Sequence, residues 1–140
     1  MNSKAVLEVE GLSKEFDVKR KRFFDKQEKL RAVQDVSLTV LEGETLGIVG
    51  ESGCGKSTLG RLIMRLIEPT AGKICLDGED LTSMSQKELR LRRKDFQMIF
   101  QDPYAAFNPR MTVQKILEEP LQTYQIPRDT WQQNISEILE

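Results

Sequence analysis

The chain has 140 residues, with 21 Lys and Arg against 22 Asp and Glu, no His, and a formal net charge of −1. Its 39% hydrophobic and 31% charged residues suit one soluble globular domain and are too apolar for a disordered chain. No stretch approaches the ~20 apolar residues of a membrane span, the first residues (MNSKAVLE) hold no apolar leader core, and the absence of His excludes His-based catalysis and His-ligated metals within these residues.

In chain order, residues 5–10 (AVLEVE) alternate apolar and acidic, which predicts a strand with one buried face. From Phe16 to Arg31 no period is usable, and the segment reads as a charged excursion; Lys19 to Arg31 alone holds 7 basic and 2 acidic residues. Val36, Leu38 and Val40 alternate with Ser37 and Thr39, a second half-buried strand ended by Glu42-Gly43-Glu44. Residues 45–50 (TLGIVG) are short and apolar, as expected of a strand buried on both faces. Leu59, Leu62, Ile63 and Leu66 then recur at helical spacing, with Pro69 and Gly72 closing the helix.

Ile74 and Leu76 mark another strand before the Asp77-Gly78 turn. Ser85 and Glu88 form a capping-box pattern for a helix to about Arg93. Residues 96–100 (FQMIF) predict a strand feeding a loop from Gln101 to Arg110. Thr112 can cap a short helix through Ile116 and Leu117, bent at Pro120. Asp129 with Gln132 suggests a last capping box, and Trp131, Ile135, Ile138 and Leu139 fall on one face of that helix. Strands mixed with helices argue for an α/β class. The two cysteines, Cys54 and Cys75, make no CxxC pair, so reduced thiols are expected.

The residues that carry chemistry are Gly50-Glu51-Ser52-Gly53-Cys54-Gly55-Lys56-Ser57, which fit G-x-x-x-x-G-K-[ST] without a mismatch. Phosphate oxygens need many donors, and a tight glycine-rich loop supplies successive backbone N–H groups. A helix starting at Lys56 adds the positive end of its dipole. Lys56 would reach the β and γ phosphates, the Ser57 hydroxyl would ligate Mg²⁺, and Thr58 completes the cradle. By composition the pattern arises in about half a percent of chains of this length, and here it also lies between an apolar segment and an amphipathic helix. A nucleotide site is therefore expected. Cys54 sits inside the cradle: its alkylation should block nucleotide binding and Mg-ATP should protect it, and equal labelling rates with and without nucleotide would sink that expectation. No guanine-reading N-K-x-D element occurs, which argues against a GTPase.

Beyond the loop, the stretches LEVEGLSKEF (7–16), AVQDVSLTVLEGETLGIVGESGCGKSTLGRLI (32–63), AGKICLDGEDL (71–81) and ELRLRRKDFQMIFQDPYAAFNPRMTV (88–113) closely resemble ATP-binding subunits of ABC transporters, in the oligopeptide/dipeptide importer branch. The resemblance implies a P-loop NTPase fold of ABC type: an antiparallel β-subdomain plus the beginning of the parallel-sheet core and of the helical subdomain, incomplete at this length. It divides the chain into 5–16 (first strand and A-loop), 17–31 (basic loop), 32–100 (P-loop core portion), 101–113 (Q-loop) and 114–140 (start of the helical subdomain). Phe16 falls where the family stacks an aromatic on adenine, and Gln101 where its Q-loop glutamine touches Mg²⁺ or the attacking water. Residues 102–110 would contact the transmembrane permease subunits. The expected cofactors are ATP and Mg²⁺, and the expected partners the permease subunits and a second ATP-binding subunit, at the cytoplasmic face of the membrane.

No LSGGQ-type signature, Walker B Asp-Glu or switch His occurs, and in the family all of these follow the Q-loop. Their order fits truncation, so the chain alone is expected to bind Mg-ATP and to hydrolyse little or none. The alternative is a non-catalytic fragment that only binds nucleotide or docks on the membrane subunit. For the basic run, interleaved with Phe23 and Phe24, nucleic-acid binding is the sharp reading and a solvated flap the plainer one; no nucleic-acid partner is expected.

Overall fold

The computed structural model describes residues 4–18, 28–102 and 107–140. They fall into two compact units, one ending at Arg93 and the other starting at Lys94.

In the first unit, β1 (Ala5–Asp17) is flanked by β2 (Lys29–Leu41) and β3 (Ala71–Leu76), with β4 (Glu79–Asp80) beyond β3. All pairings are antiparallel, and the order is β2-β1-β3-β4. Apolar residues meet apolar residues across β1: Val9 registers with Leu38 on one side and Ile74 on the other. Such cross-strand pairs set the register, because a one-residue slip would turn the buried set outward. Gly72 has φ +96°, and a Cβ there would stand 2.5 Å from the Leu12 Cα, so only glycine lets β3 approach β1 this closely.

Both long strands run further than alternation alone suggests. β1 continues to Asp17 and β2 starts at Lys29, so the two ends of the expected charged excursion are sheet; its middle, 19–27, lies outside the described residues. The pairing that extends them is electrostatic. Glu15 opposes Arg31 and Asp17 opposes Lys29, and both Lys29 Nζ (3.0 Å) and Arg31 Nε (3.1 Å) reach the Glu15 carboxylate. Hydropathy periodicity cannot register such pairs, because the partners are distant in sequence.

Helix α1 (Lys56–Ile63) buries Leu59 and Leu62 as its spacing requires, but it ends at Ile63, and Leu66 is exposed. Its C-terminal end is fixed by two arginines. Buried Arg65, at φ +48°, donates from Nε to the Leu81 carbonyl (3.1 Å) and pairs with Glu68. Arg93 donates to the carbonyls of Met64 and Arg65. The Arg93 donors satisfy carbonyls just past the helix end, which have no intrahelical partners, while Arg65 ties that end to the segment after β4. Burial first, and the neighbouring Arg93 second, lower the Arg65 pKa from its ordinary value. Helix α2 (Gln86–Arg92) has the expected capping box: the Glu88 N–H donates to Ser85 Oγ, and the Ser85 N–H donates to the Glu88 carboxylate at 2.8 Å. Leu89 on this helix joins Val9, Leu12, Val33, Leu59, Leu62, Ile74 and Leu81 in the core.

In the second unit, α3 (Val113–Thr123) is capped by Thr112, whose hydroxyl accepts from the Lys115 N–H at 3.3 Å. The helix runs through Pro120, which withholds one backbone donor from the helix ladder. The last helix, α4 (Trp131–Leu139), follows a 3₁₀ turn at Arg128–Thr130. The expected Asp129/Gln132 box does not form: Asp129 lies inside the 3₁₀ turn, and Thr130, the residue before the helix, turns its hydroxyl back to the Pro127 carbonyl (2.8 Å). Of the expected apolar face, Trp131 and Ile135 are half-buried while Ile138 and Leu139 are exposed.

Two further expectations are corrected. Residues 45–50 and 96–100 form no strand; Val49 is 96% and Ile99 93% exposed. An apolar run becomes a strand only when a neighbour offers its ladder of N–H and C=O groups. Among the described residues, neither segment takes part in a strand ladder.

Candidate functional site

The glycine-rich loop enters α1 through Gly55, at φ +99°. A Cβ at this position would stand 2.4 Å from the Ala32 carbonyl oxygen, so glycine is required both by its backbone and by its neighbour. Ala32 is itself unusual. The register passes from Lys14↔Val33 to Glu15↔Arg31 and skips it, a bulge in β2. Bulges bend a strand and re-aim its groups, and this one carries the carbonyl against which the loop packs.

The first α-helical hydrogen bond of α1 runs from the Leu59 N–H to the Gly55 carbonyl at 2.8 Å. The N–H groups of Lys56, Ser57 and Thr58 therefore have no intrahelical acceptor. No side chain caps this end and no acidic residue occupies its first turn, which leaves the positive end of the helix dipole uncompensated by its own sequence. Ser57 is exposed at this end, and Thr58 is half-buried. Lys56 Nζ folds back over the loop and donates to the carbonyls of Gly50 (2.7 Å) and Glu51 (2.6 Å), with Cys54 Sγ at 3.6 Å. Glu51, Ser52, Gly53 and Cys54 are exposed, and Gly53 takes φ +83°. A Cβ on Gly50 would meet Cys54 Sγ at 2.7 Å.

Beside the loop lies a cleft of about 400 Å³, walled by Arg31, Ala32 and Val33 of β2, by Ile48 and Val49, and by Gly55 and Lys56. The β2 wall was invisible to the motif, which describes only the loop; no sequence signal places residue 32 against residue 55. Phe16, at the end of β1, registers with Leu30 two residues before Ala32 and is 39% exposed. Lys14 Nζ stands 5.1 Å from the centre of its ring. Gln101 belongs to the second unit, where it is exposed immediately after 96–100. Farther along, the Asn108 side chain accepts from the Arg110 N–H at 3.0 Å, closing a turn before α3. Among the described residues no group of three or more His, Cys, Asp or Glu could hold a metal ion.

The ABC transporter family model matches residues 33–140. The chain belongs to the ABC transporter family. It is 49% identical over 123 residues to a probable peptide ABC transporter ATP-binding protein of Sinorhizobium fredii, covering 88% of this chain and 35% of that protein. It is 50% identical over 126 residues to the oligopeptide transport ATP-binding protein OppF of Haemophilus influenzae, covering 89% of this chain and 38% of that one. To the oligopeptide transport ATP-binding protein AppF of Bacillus subtilis it is 46% identical over 124 residues, covering 88% and 38%. This ABC chain thus spans a little over a third of the length of these relatives. Its fold matches a dimeric post-hydrolysis structure of the ATP-binding cassette MJ0796 bound to ADP and Pi, with a TM-score of 0.76, 25% identity, and coverage of 94% of this chain and 54% of that one. A second dimeric structure of that bacterial ABC transporter cassette matches with a TM-score of 0.69 and 28% identity, over 84% of this chain and 47% of that one. The ABC-type fold that the resemblance implies is matched by these cassettes, the strand pairings among the described residues being those of the antiparallel sheet.

Proposed function

We propose that this chain is the nucleotide-binding portion of an ATP-binding subunit that energises uptake of peptides or similar small solutes. The observation that carries the reading is the set of N–H groups at residues 56–58 without intrahelical acceptors, next to the Lys56 ammonium folded over the loop. A triphosphate would take those N–H groups, with Gly50 to Gly55 wrapping it, and would draw Lys56 from the loop carbonyls to its β and γ oxygens. Relatives described as peptide and oligopeptide transport ATP-binding proteins support the solute class.

Exposed Ser57, at the helix start, would supply a hydroxyl to Mg²⁺ carried in with the nucleotide; the role of Gln101 toward the ion or the attacking water is proposed from the family resemblance alone. When bound, the ion neutralises part of the phosphate charge. Phe16 offers a ring for the adenine. Residues 101–113 would dock on the permease subunits, and a second ATP-binding subunit would complete the assembly at the cytoplasmic face of the membrane.

The test is Mg-ATP binding by the purified chain. Lys56→Ala should weaken it about tenfold or more, since a charge-assisted contact to phosphate is worth about 1.5–3 kcal/mol. Equal affinity in both proteins would sink the reading.

A further inference from the structure

We infer that Lys14 is a positioning residue for the nucleotide base, capping one side of the Phe16 ring so that a base stacks on the other. The inference rests on the nucleotide reading of the loop and extends it to a residue outside the motif.

Lys14 and Phe16 are two apart on β1 and share a face of the sheet. The ammonium lies 5.1 Å from the ring centre, within cation–π range. It is not a free surface lysine. Its Nζ also donates to the Glu68 carbonyl at 2.6 Å, just beyond α1. The adjoining backbone is pinned as well: the Thr70 N–H donates to the Ser13 carbonyl (2.8 Å), and the Glu15 N–H donates to Thr70 Oγ1 (3.0 Å). On the opposite face, Glu15 is held by Lys29 and Arg31. The strand that carries the ring is therefore held from β2 and from the segment after α1, and the ring, with Lys14 over it, remains 39% exposed.

Its distance from the loop is set by β2. Leu30 registers with Phe16, and Ala32, two residues on, touches Gly55. The strand that carries the ring and the loop itself are thus both anchored on one short stretch of β2. One ring side taken by the ammonium leaves one for a planar base. A cation on the far side also draws π density toward itself, which favours stacking by an electron-rich purine.

The experiment compares ATP with inorganic tripolyphosphate, which has no base, on the full chain. Lys14→Met keeps the length of the stem and removes the charge. ATP affinity should fall about two- to fivefold with tripolyphosphate affinity unchanged, and Lys14→Arg should restore it. In a Phe16→Ala background, Lys14→Met should add little, since both act through one ring. Equal losses for both ligands, no loss for either, or a full Lys14→Met effect without the ring would each overturn the inference. Failure of the unsubstituted chain to bind either ligand overturns the nucleotide reading and this inference with it, whereas binding with no ATP-specific loss overturns the inference alone.

Discussion

Every buried apolar side chain among the described residues lies before residue 94, contributed by β1, β2, β3, α1, α2 and the loop at Leu81. Helices α3 and α4 bury none. They rely instead on local devices: the Thr112 cap, the Gln114–Glu118 and Gln133–Glu137 pairs one turn apart, and Trp131 Nε1 donating to the Ile126 carbonyl at 2.9 Å. The contrast bears on function. The glycine-rich loop is set on the unit whose elements lock one another through long-range contacts, and its Gly55 end packs against the Ala32 carbonyl. The second unit has interactions close in sequence, each worth a few tenths of a kcal/mol to about 1 kcal/mol, and its conformation is correspondingly easier to bias.

The largest test of this contrast is truncation of one leucine in each setting. Leu62→Ala removes a fully buried side chain and should destabilise the chain by about 2–5 kcal/mol, read from denaturant unfolding. Leu139→Ala, at 63% exposure, should change it by less than about 0.5 kcal/mol. Comparable losses would erase the distinction.

A smaller effect compares the caps. Ser85→Ala and Thr112→Ala each remove a hydroxyl acceptor from a helix start and should cost about 1 kcal/mol. The first should lower global stability, because α2 carries buried Leu89. The second should raise amide exchange only within α3. Exchange rising across both units after Thr112→Ala would contradict the local account.

The smallest effect is a pH dependence. Hydrogen bonds from the Ser85 side chain, then from its backbone, hold the Glu88 carboxyl below its ordinary pKa. A carboxyl depressed in the folded state contributes stability above its unfolded pKa and loses it as pH falls through the folded value. Acid titration of α2 helicity should therefore show loss below the ordinary glutamate range, and Glu88→Gln should flatten it. An unchanged titration in Glu88→Gln would remove Glu88 as the cause.

Local signals were legible wherever local energetics decide. The helix start at Lys56, the Ser85/Glu88 box and the Thr112 cap all depend on residues within one or two turns, and each appears as expected. The 45–50 and 96–100 segments did not follow their apolar character, because strand formation is a property of pairs. The Asp129 pattern yielded to a 3₁₀ turn for a related reason: a capping motif competes with the hydroxyl of Thr130, which found the Pro127 carbonyl.

By itself the sequence determined the glycine-rich loop motif, the helix that follows it and the family to which the chain belongs, since these rest on residue types at fixed short spacing. Tertiary structure alone decided that Ala32 bulges against Gly55, that Glu15 joins the ends of β1 and β2, and that Lys14 stands over Phe16 while tied to Glu68. Those relations bring together residues as far as 54 positions apart, and only chain folding brings such groups within reach of the short-range forces that join them.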